Sequence, residues 1–190
     1  MPSTNTEGIP PLKSYGDSRD GTYLQYQAFI YANSANDIAI TGSGTIDGQG
    51  DWWWANQRNR SLVVSGRPNL VQLVNCTGVD ISHVTAKDSP FWCLHPVLCR
   101  DVHVHHVTVR SRMYAPNSDG IDPDSSRNVM IEHNDVSCGD DHVAIKAGVC
   151  GSSSPNDCND PMFTSGAYRT QNVTVRFNTF RIGKPNYRSS

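Results

Sequence analysis

Asp101-Val102-His103-Val104-His105-His106-Val107-Thr108-Val109-Arg110 decides how this chain folds. Two runs of strict alternation flank a polar corner at His105-His106. The period of two sends Val102, Val104, Val107 and Val109 to one side and His103, Thr108 and Arg110 to the other. The same unit, a polar residue or glycine ahead of an alternating apolar pair, recurs at Asp37-Ile38-Ala39-Ile40, Gly78-Val79-Asp80-Ile81, Asn128-Val129-Met130-Ile131 and Asn172-Val173-Thr174-Val175. Counted with Val102, the first apolar positions are 41, 23, 27 and 44 residues apart, the long gaps being near twice the short ones. A second apolar position follows at Val84, Val136 and Phe180, each after a corner such as Ser82-His83, His133-Asn134 or Asn178. Repeats of this size, with no helical pattern between them, predict an all-β solenoid. Its natural form is a right-handed parallel β-helix, with several short strands per coil, an aliphatic core and a polar exterior.

Stacked coils lie about 4.8 Å apart, so residues one coil apart in sequence become lateral neighbours. That brings Asn117-Ser118-Asp119-Gly120 beside Gly139-Asp140-Asp141. Like charges within about 4 to 6 Å raise at least one pKa. One carboxyl then donates a proton while another stays a base, the division of labour in glycosidic bond hydrolysis. The same residue types also suit turns, and spacing alone allows Asp119 and Asp122 merely to shape them.

Composition fits one domain. The 190 residues are 37% apolar and 18% charged, with a net charge of −2, and no basic stripe exists beyond Arg100, Arg110 and Arg112. A nucleic-acid partner is therefore not expected. No run approaches transmembrane length, and the first twenty residues hold no apolar targeting core. His103, His105 and His106 raise the question of a metal, but their outward strand face reads as solvated surface, so no metal or other cofactor is expected. Trp52-Trp53-Trp54, in a loop after Gly50, suits either stacking on sugar rings or packing over a coil edge. Six cysteines, at 76, 93, 99, 138, 150 and 158, permit up to three disulfides. Cys150 with Cys158, around a turn-prone loop, is the first choice, whereas Cys76 and Cys138 equally suit buried thiols. Sequons at Asn59, Asn75 and Asn172 are compatible with secretion.

Longer stretches resemble glycoside hydrolase family 28, the polygalacturonases, and most closely its plant-type members. They are Leu12-Lys13-Ser14-Tyr15-Gly16, Ile40 to Gly50 with the tryptophans after it, Asp88-Ser89-Pro90-Phe91-Trp92-Cys93-Leu94-His95-Pro96, Ala115 to Ser125, and Gly139 to Gly148. The resemblance implies a pectin-lyase-like β-helix. It implies Asp140 as general acid, Asp119 and Asp141 as holders of the hydrolytic water, Asn117 and Lys146 as substrate-binding supports, and inversion at the anomeric carbon. Spacing alone leans the other way. Inverting enzymes separate their carboxyl groups by roughly 6.5 to 9.5 Å, more than direct lateral neighbours would be.

Ser118 stands where the family usually has Thr and keeps the hydroxyl. The family's downstream Gly-His-Gly and Arg-x-Lys segments have no counterpart; Arg181-Ile182-Gly183-Lys184 reads as a strand end. The expectation is a single partial β-helix domain over 1–190, truncated and open at both ends, with an irregular segment at 1–22 and a loop insert at 148–166. The implied substrate is pectic polysaccharide, cut at α-1,4-galacturonosidic bonds by a monomer outside the cell or in the cell wall. Action on rhamnogalacturonan or on chain ends remains open, as does a non-catalytic pectin-binding β-helix. A calcium-dependent lyase is disfavoured, because proton abstraction would need a basic residue.

Overall fold

The computed structural model describes residues 25–59, 61–62, 66–147 and 169–182. Three strands make each of the first three coils: β1 (Ile30–Asn33), β2 (Asn36–Thr41) and β3 (Thr45–Asp47); β4 (Val71–Val74), β5 (Thr77–Ser82) and β6 (Thr85–Lys87); β7 (Leu94–Val97), β8 (Arg100–His105) and β9 (Thr108–Arg110). The fourth coil has β10 (Arg127–Glu132) and β11 (Asp135–Cys138), and the fifth has β12 (Gln171–Arg176) and β13 (Thr179–Ile182). All pairing is parallel. The second sheet runs β12-β10-β8-β5-β2, the third β13-β11-β9-β6-β3, and the first β1-β4-β7. Bridges at Leu94 with Ile121, Ile121 with Val143, Val97 with Asp124 and Asp124 with Lys146 extend the first sheet into coils four and five. The fold is a parallel β-helix.

The polar residue or glycine that opens each repeat has a conformational reason. Asp37, Gly78, Asp101, Asn128 and Asn172 occupy equivalent positions and all have positive φ, between 53° and 69°. Asn, Asp and Gly adopt that region most readily, and a β-branched residue there would strain the coil. The neighbouring corner repeats the device with His83, His106 and His133 at φ 62°, 54° and 56°. Their rings stack up the outside, His83 on His106 at 5.1 Å and His106 on His133 at 5.2 Å between centroids.

Inside, Val79, Ile81, Val102, Val104, Val107, Val109, Val129, Ile131 and Val136 form one continuous core. Each such side chain contributes about 1.5–3 kcal/mol by leaving water. Asn134, buried at the corner after β10, accepts the Val107 N–H at 2.8 Å and donates to the Val104 carbonyl at 3.0 Å. Asn178 repeats the contact one coil on, donating to the Ile131 carbonyl at 2.9 Å. Val175, Phe180 and Ile182 of the fifth coil are exposed.

Several expectations change. The long gaps of 41 and 44 residues are single coils, the first with an excursion, since β2 pairs directly with β5 and β10 with β12. That excursion carries a short helix, α1 (Asp51–Asn56), where a loop was expected. It buries Trp53 and Trp54 and donates Trp54 Nε1 to the Ser89 carbonyl at 3.1 Å, so packing over the coil edge is the role of these two; Trp52 stays exposed. Cys76, Cys93, Cys99 and Cys138 are buried free thiols, which rules out three bridges. Burial pushes Cys99 and Cys138 up to about 12. The Cys150–Cys158 pairing, the 1–22 segment and the 148–166 insert lie outside the described residues. Among the described residues, no helix is long and apolar enough to cross a membrane.

Candidate active site

The hydrogen bonds Cys93 N–H to Asp119 O and Gly120 N–H to Asp141 O, both 2.8 Å, carry the first sheet's ladder past its strands. They set Trp92, Asp119 and Asp141 at one level of three consecutive coils. The stacking expected of the aspartates is therefore present in the backbone. Asp140 falls level with Ser118, one step earlier.

The carboxylates differ in surroundings. Asp119 is 4% exposed, while Asp140 and Asp141 face solvent. Asp140 accepts the backbone N–H of Asn117 at 3.1 Å through Oδ2 and of Asp141 at 3.0 Å through Oδ1. Asn117 has φ 52°, and its Oδ1 accepts Nη2 of Arg67 at 2.7 Å. Arg67 also ties the loop to the previous coil, donating Nη1 to the carbonyls of Pro90 and Pro116 at 2.8 and 2.7 Å. Ser118 accepts the Gly139 N–H at 3.0 Å, so the two acidic motifs are bonded to each other. The hydroxyl is what this contact needs, and Ser118 supplies it.

Beneath this surface lies a buried charge cluster. Lys146 Nζ is 3.1 Å from Asp119 Oδ2, 3.5 Å from Asp122 Oδ2, and 4.2 Å above the centre of the Trp92 ring. Burial pushes the Asp119 carboxyl up; Lys146 opposes it, Asp140 adds to it, and the result lies above the ordinary aspartate value. Asp122 is 0% exposed, and burial followed by the Asp119 charge raises it well beyond that range despite Lys146. Burial lowers the Lys146 ammonium, but Asp122 and Asp119 outweigh it, so lysine keeps its proton. One cation thus faces two carboxyl groups, and Asp122 is the one that holds a proton most readily. Asp122 is thus joined to Asp119 through Lys146 in one buried cluster. Its place on the outer face of the first sheet, next to inward Ile121, was the signal for it. Nothing in the sequence around Arg67 pointed to its role.

Beside the Ala115–Asn117 loop opens a groove of about 490 Å³, lined by Asp51, Trp54, Gln57, Arg112, Tyr114 and Pro116. Arg112 Nη2 lies 3.0 Å from Asp51 Oδ2, and Arg112 Nη1 donates to the Tyr114 hydroxyl at 2.9 Å. The Arg112 guanidinium also lies 5.9 Å from the centre of the Tyr114 ring.

The sequence model of "Glycosyl hydrolases family 28" matches residues 13–159. The chain belongs to glycosyl hydrolase family 28. It is 40% identical over 141 residues to a Vitis vinifera protein named "Probable polygalacturonase", covering 74% of this chain and 28% of that one. It is 32% identical over 168 residues to an endo-polygalacturonase of Pectobacterium carotovorum subsp. carotovorum, covering 82% of this chain and 37% of that one. Among solved structures, it superposes on a hyperthermoactive exopolygalacturonase from Thermotoga maritima with a TM-score of 0.69 at 27% identity, covering 84% of this chain and 41% of that one. A polygalacturonase from Erwinia carotovora ssp. carotovora gives 0.62, also at 27% identity, over 82% of this chain and 40% of that one. The family 28 chain described here therefore spans roughly a quarter to two fifths of the length of these curated relatives.

Proposed function

We propose that this chain carries the acid and base groups for hydrolysing α-1,4-galacturonosidic bonds of polygalacturonan, outside the cell or in the cell wall. Asp140 is the general acid, and Asp119 with Asp141 holds the attacking water on the opposite side of the bond, with inversion. Asn117 and Lys146 support them, Lys146 by holding the Asp119 carboxylate in place and Asn117 through its N–H on Asp140. The observation that carries the reading is the level stacking of Asp119 and Asp141 in adjacent coils, with solvent-facing Asp140 fixed by two backbone N–H groups beside the Arg112 groove. The names of the relatives support the substrate class, and family membership supports the reaction class.

The test is reducing-end release from polygalacturonic acid with calcium chelated, on this chain and on one extended to its relatives' length. Asp140→Asn should lower kcat by about 10²–10⁴-fold, the usual worth of a positioned acid, in a chain that still folds, with at most a small drop in melting temperature from the one N–H contact that an amide cannot accept. Full activity in that variant would sink the acid assignment. Binding without cleavage by both parent chains would favour a pectin-binding β-helix.

A further inference from the structure

The outer face of the second sheet carries a cluster that the glycosidase reading leaves unused. Register sets its grid: Asp80 on β5 lies opposite His103 on β8, and His105 lies between Ser82 and Glu132 of the flanking strands. His103 and His105 are two residues apart on one strand and project to the same side. Contacts cross the grid diagonally, with His105 Nε2 3.1 Å from Asp80 Oδ2 and His103 Nε2 3.0 Å from Glu132 Oε1. The two imidazole centroids are 4.1 Å apart. One donor atom from each of Asp80, His103 and His105 lies within 4.8 Å of the other two, and all three residues are half-buried.

We propose that Asp80, His103 and His105 form a site for a divalent transition-metal ion of the zinc class, with the remaining coordination position open to water. Two imidazoles and one carboxylate are a donor set for zinc or copper, whereas calcium and magnesium want oxygen ligands. Tetrahedral bonds of about 2.0–2.1 Å separate donor atoms by about 3.4 Å. The trio must therefore close by roughly 1.4 Å at its widest, which rotation of half-exposed side chains supplies. The supporting contacts exist. Ser82 Oγ donates to Asp80 Oδ1 at 2.8 Å, and Glu132, held by Arg176 Nε at 2.7 Å, abuts the His103 ring as outer carboxylates abut ligating histidines. Burial pushes the Asp80 carboxyl up, but bonds from Ser82 and His105 outweigh it, so the group is ionised at neutral pH. The ion would staple coil two to coil three on a face separate from the first-sheet carboxylates, which makes its role structural.

The experiment titrates the chain with Zn²⁺ by calorimetry and thermal melting, with Ca²⁺ and Mg²⁺ in parallel. One Zn²⁺ should bind per chain, and the melting temperature should climb with zinc concentration as single-site linkage requires, with no rise from the other two ions. His103→Asn and Asp80→Asn should each weaken zinc binding by at least about tenfold, while His133→Asn, at the neighbouring corner, should retain it. The absence of saturable zinc binding would overturn the proposal. So would undiminished binding in both His103→Asn and Asp80→Asn, whose metal-free melts report whether they are folded.

Discussion

Replacing Lys146 with methionine keeps the length of the stem over Trp92 and removes the ammonium that lies against Asp119 and Asp122. At 3.1 Å and an effective dielectric constant of about 20, the Lys146–Asp119 attraction alone is about 5 kcal/mol. The cost of burying the charges offsets much of it, and removing one partner of such a pair costs about 3–5 kcal/mol. For a chain of this length, about 4 kcal/mol corresponds to a fall of roughly 8–16 °C in melting temperature. The sign of the pH dependence follows from the folded carboxyl groups, which titrate above their unfolded values. The folded chain binds protons there that the unfolded chain does not, so this contribution to stability falls as pH rises. Losing the ammonium raises both carboxyls further. The gap between wild type and Lys146→Met should therefore be small near pH 4, where both can be protonated, and widen by pH 7. Circular dichroism melts at the two pH values read it directly. A fall below about 3 °C at both, or equal falls, would refute the buried-cluster account.

Other outcomes follow from the same geometry. A Cβ on Gly139 would sit 2.5 Å from the carbonyl oxygens of both Arg112 and Ala115. Gly139→Ala should thus displace Asp140 and cost about a hundredfold in kcat on polygalacturonate, with little change in KM. Arg112→Gln should raise KM about tenfold through loss of one charged contact while kcat holds. Asn134→Ala strands the Val107 N–H and the Val104 carbonyl inside the corner. A loss of about 2–4 kcal/mol is expected in urea unfolding, with activity unchanged at low temperature.

The parts legible in sequence were those whose environment alternates. β8, β9 and the corner between them bury Val102, Val104, Val107 and Val109 and turn His103 and Arg110 outward, so the period of two survives in the letters. The first sheet was missed as a separate element. β4 and β7 bury all four of their residues, including Gln72 and His95, and a strand covered on both faces leaves no alternation to read. α1 escaped because six residues cannot display a helical period, and its two buried tryptophans are fixed by tertiary contact. The acidic motifs could be read because a coil-length spacing maps directly onto lateral contact. Lys146 came only through the family resemblance, and its pairing with Asp122 depended on which outward positions the fold covers.

That covering is what separates the carboxyl groups. Trp92, Asp119 and Asp141 share one level of the ladder, so the backbone offers each the same position. Asp119 lies between an indole-bearing coil and a carboxylate-bearing one, with Lys146 against both its own oxygen and the Trp92 face. Asp141 faces water. Two chemically identical side chains on one repeat therefore receive different solvation. A solenoid makes this possible without a special loop, because substituting one residue in a column changes the neighbour above and below while leaving the backbone level intact. The test of this account is Trp92→Leu: with the apolar wall thinned and water admitted, Asp119 should titrate lower than in wild type by carboxyl NMR. A rise, or no change, would mean that burial by this column does not set its pKa.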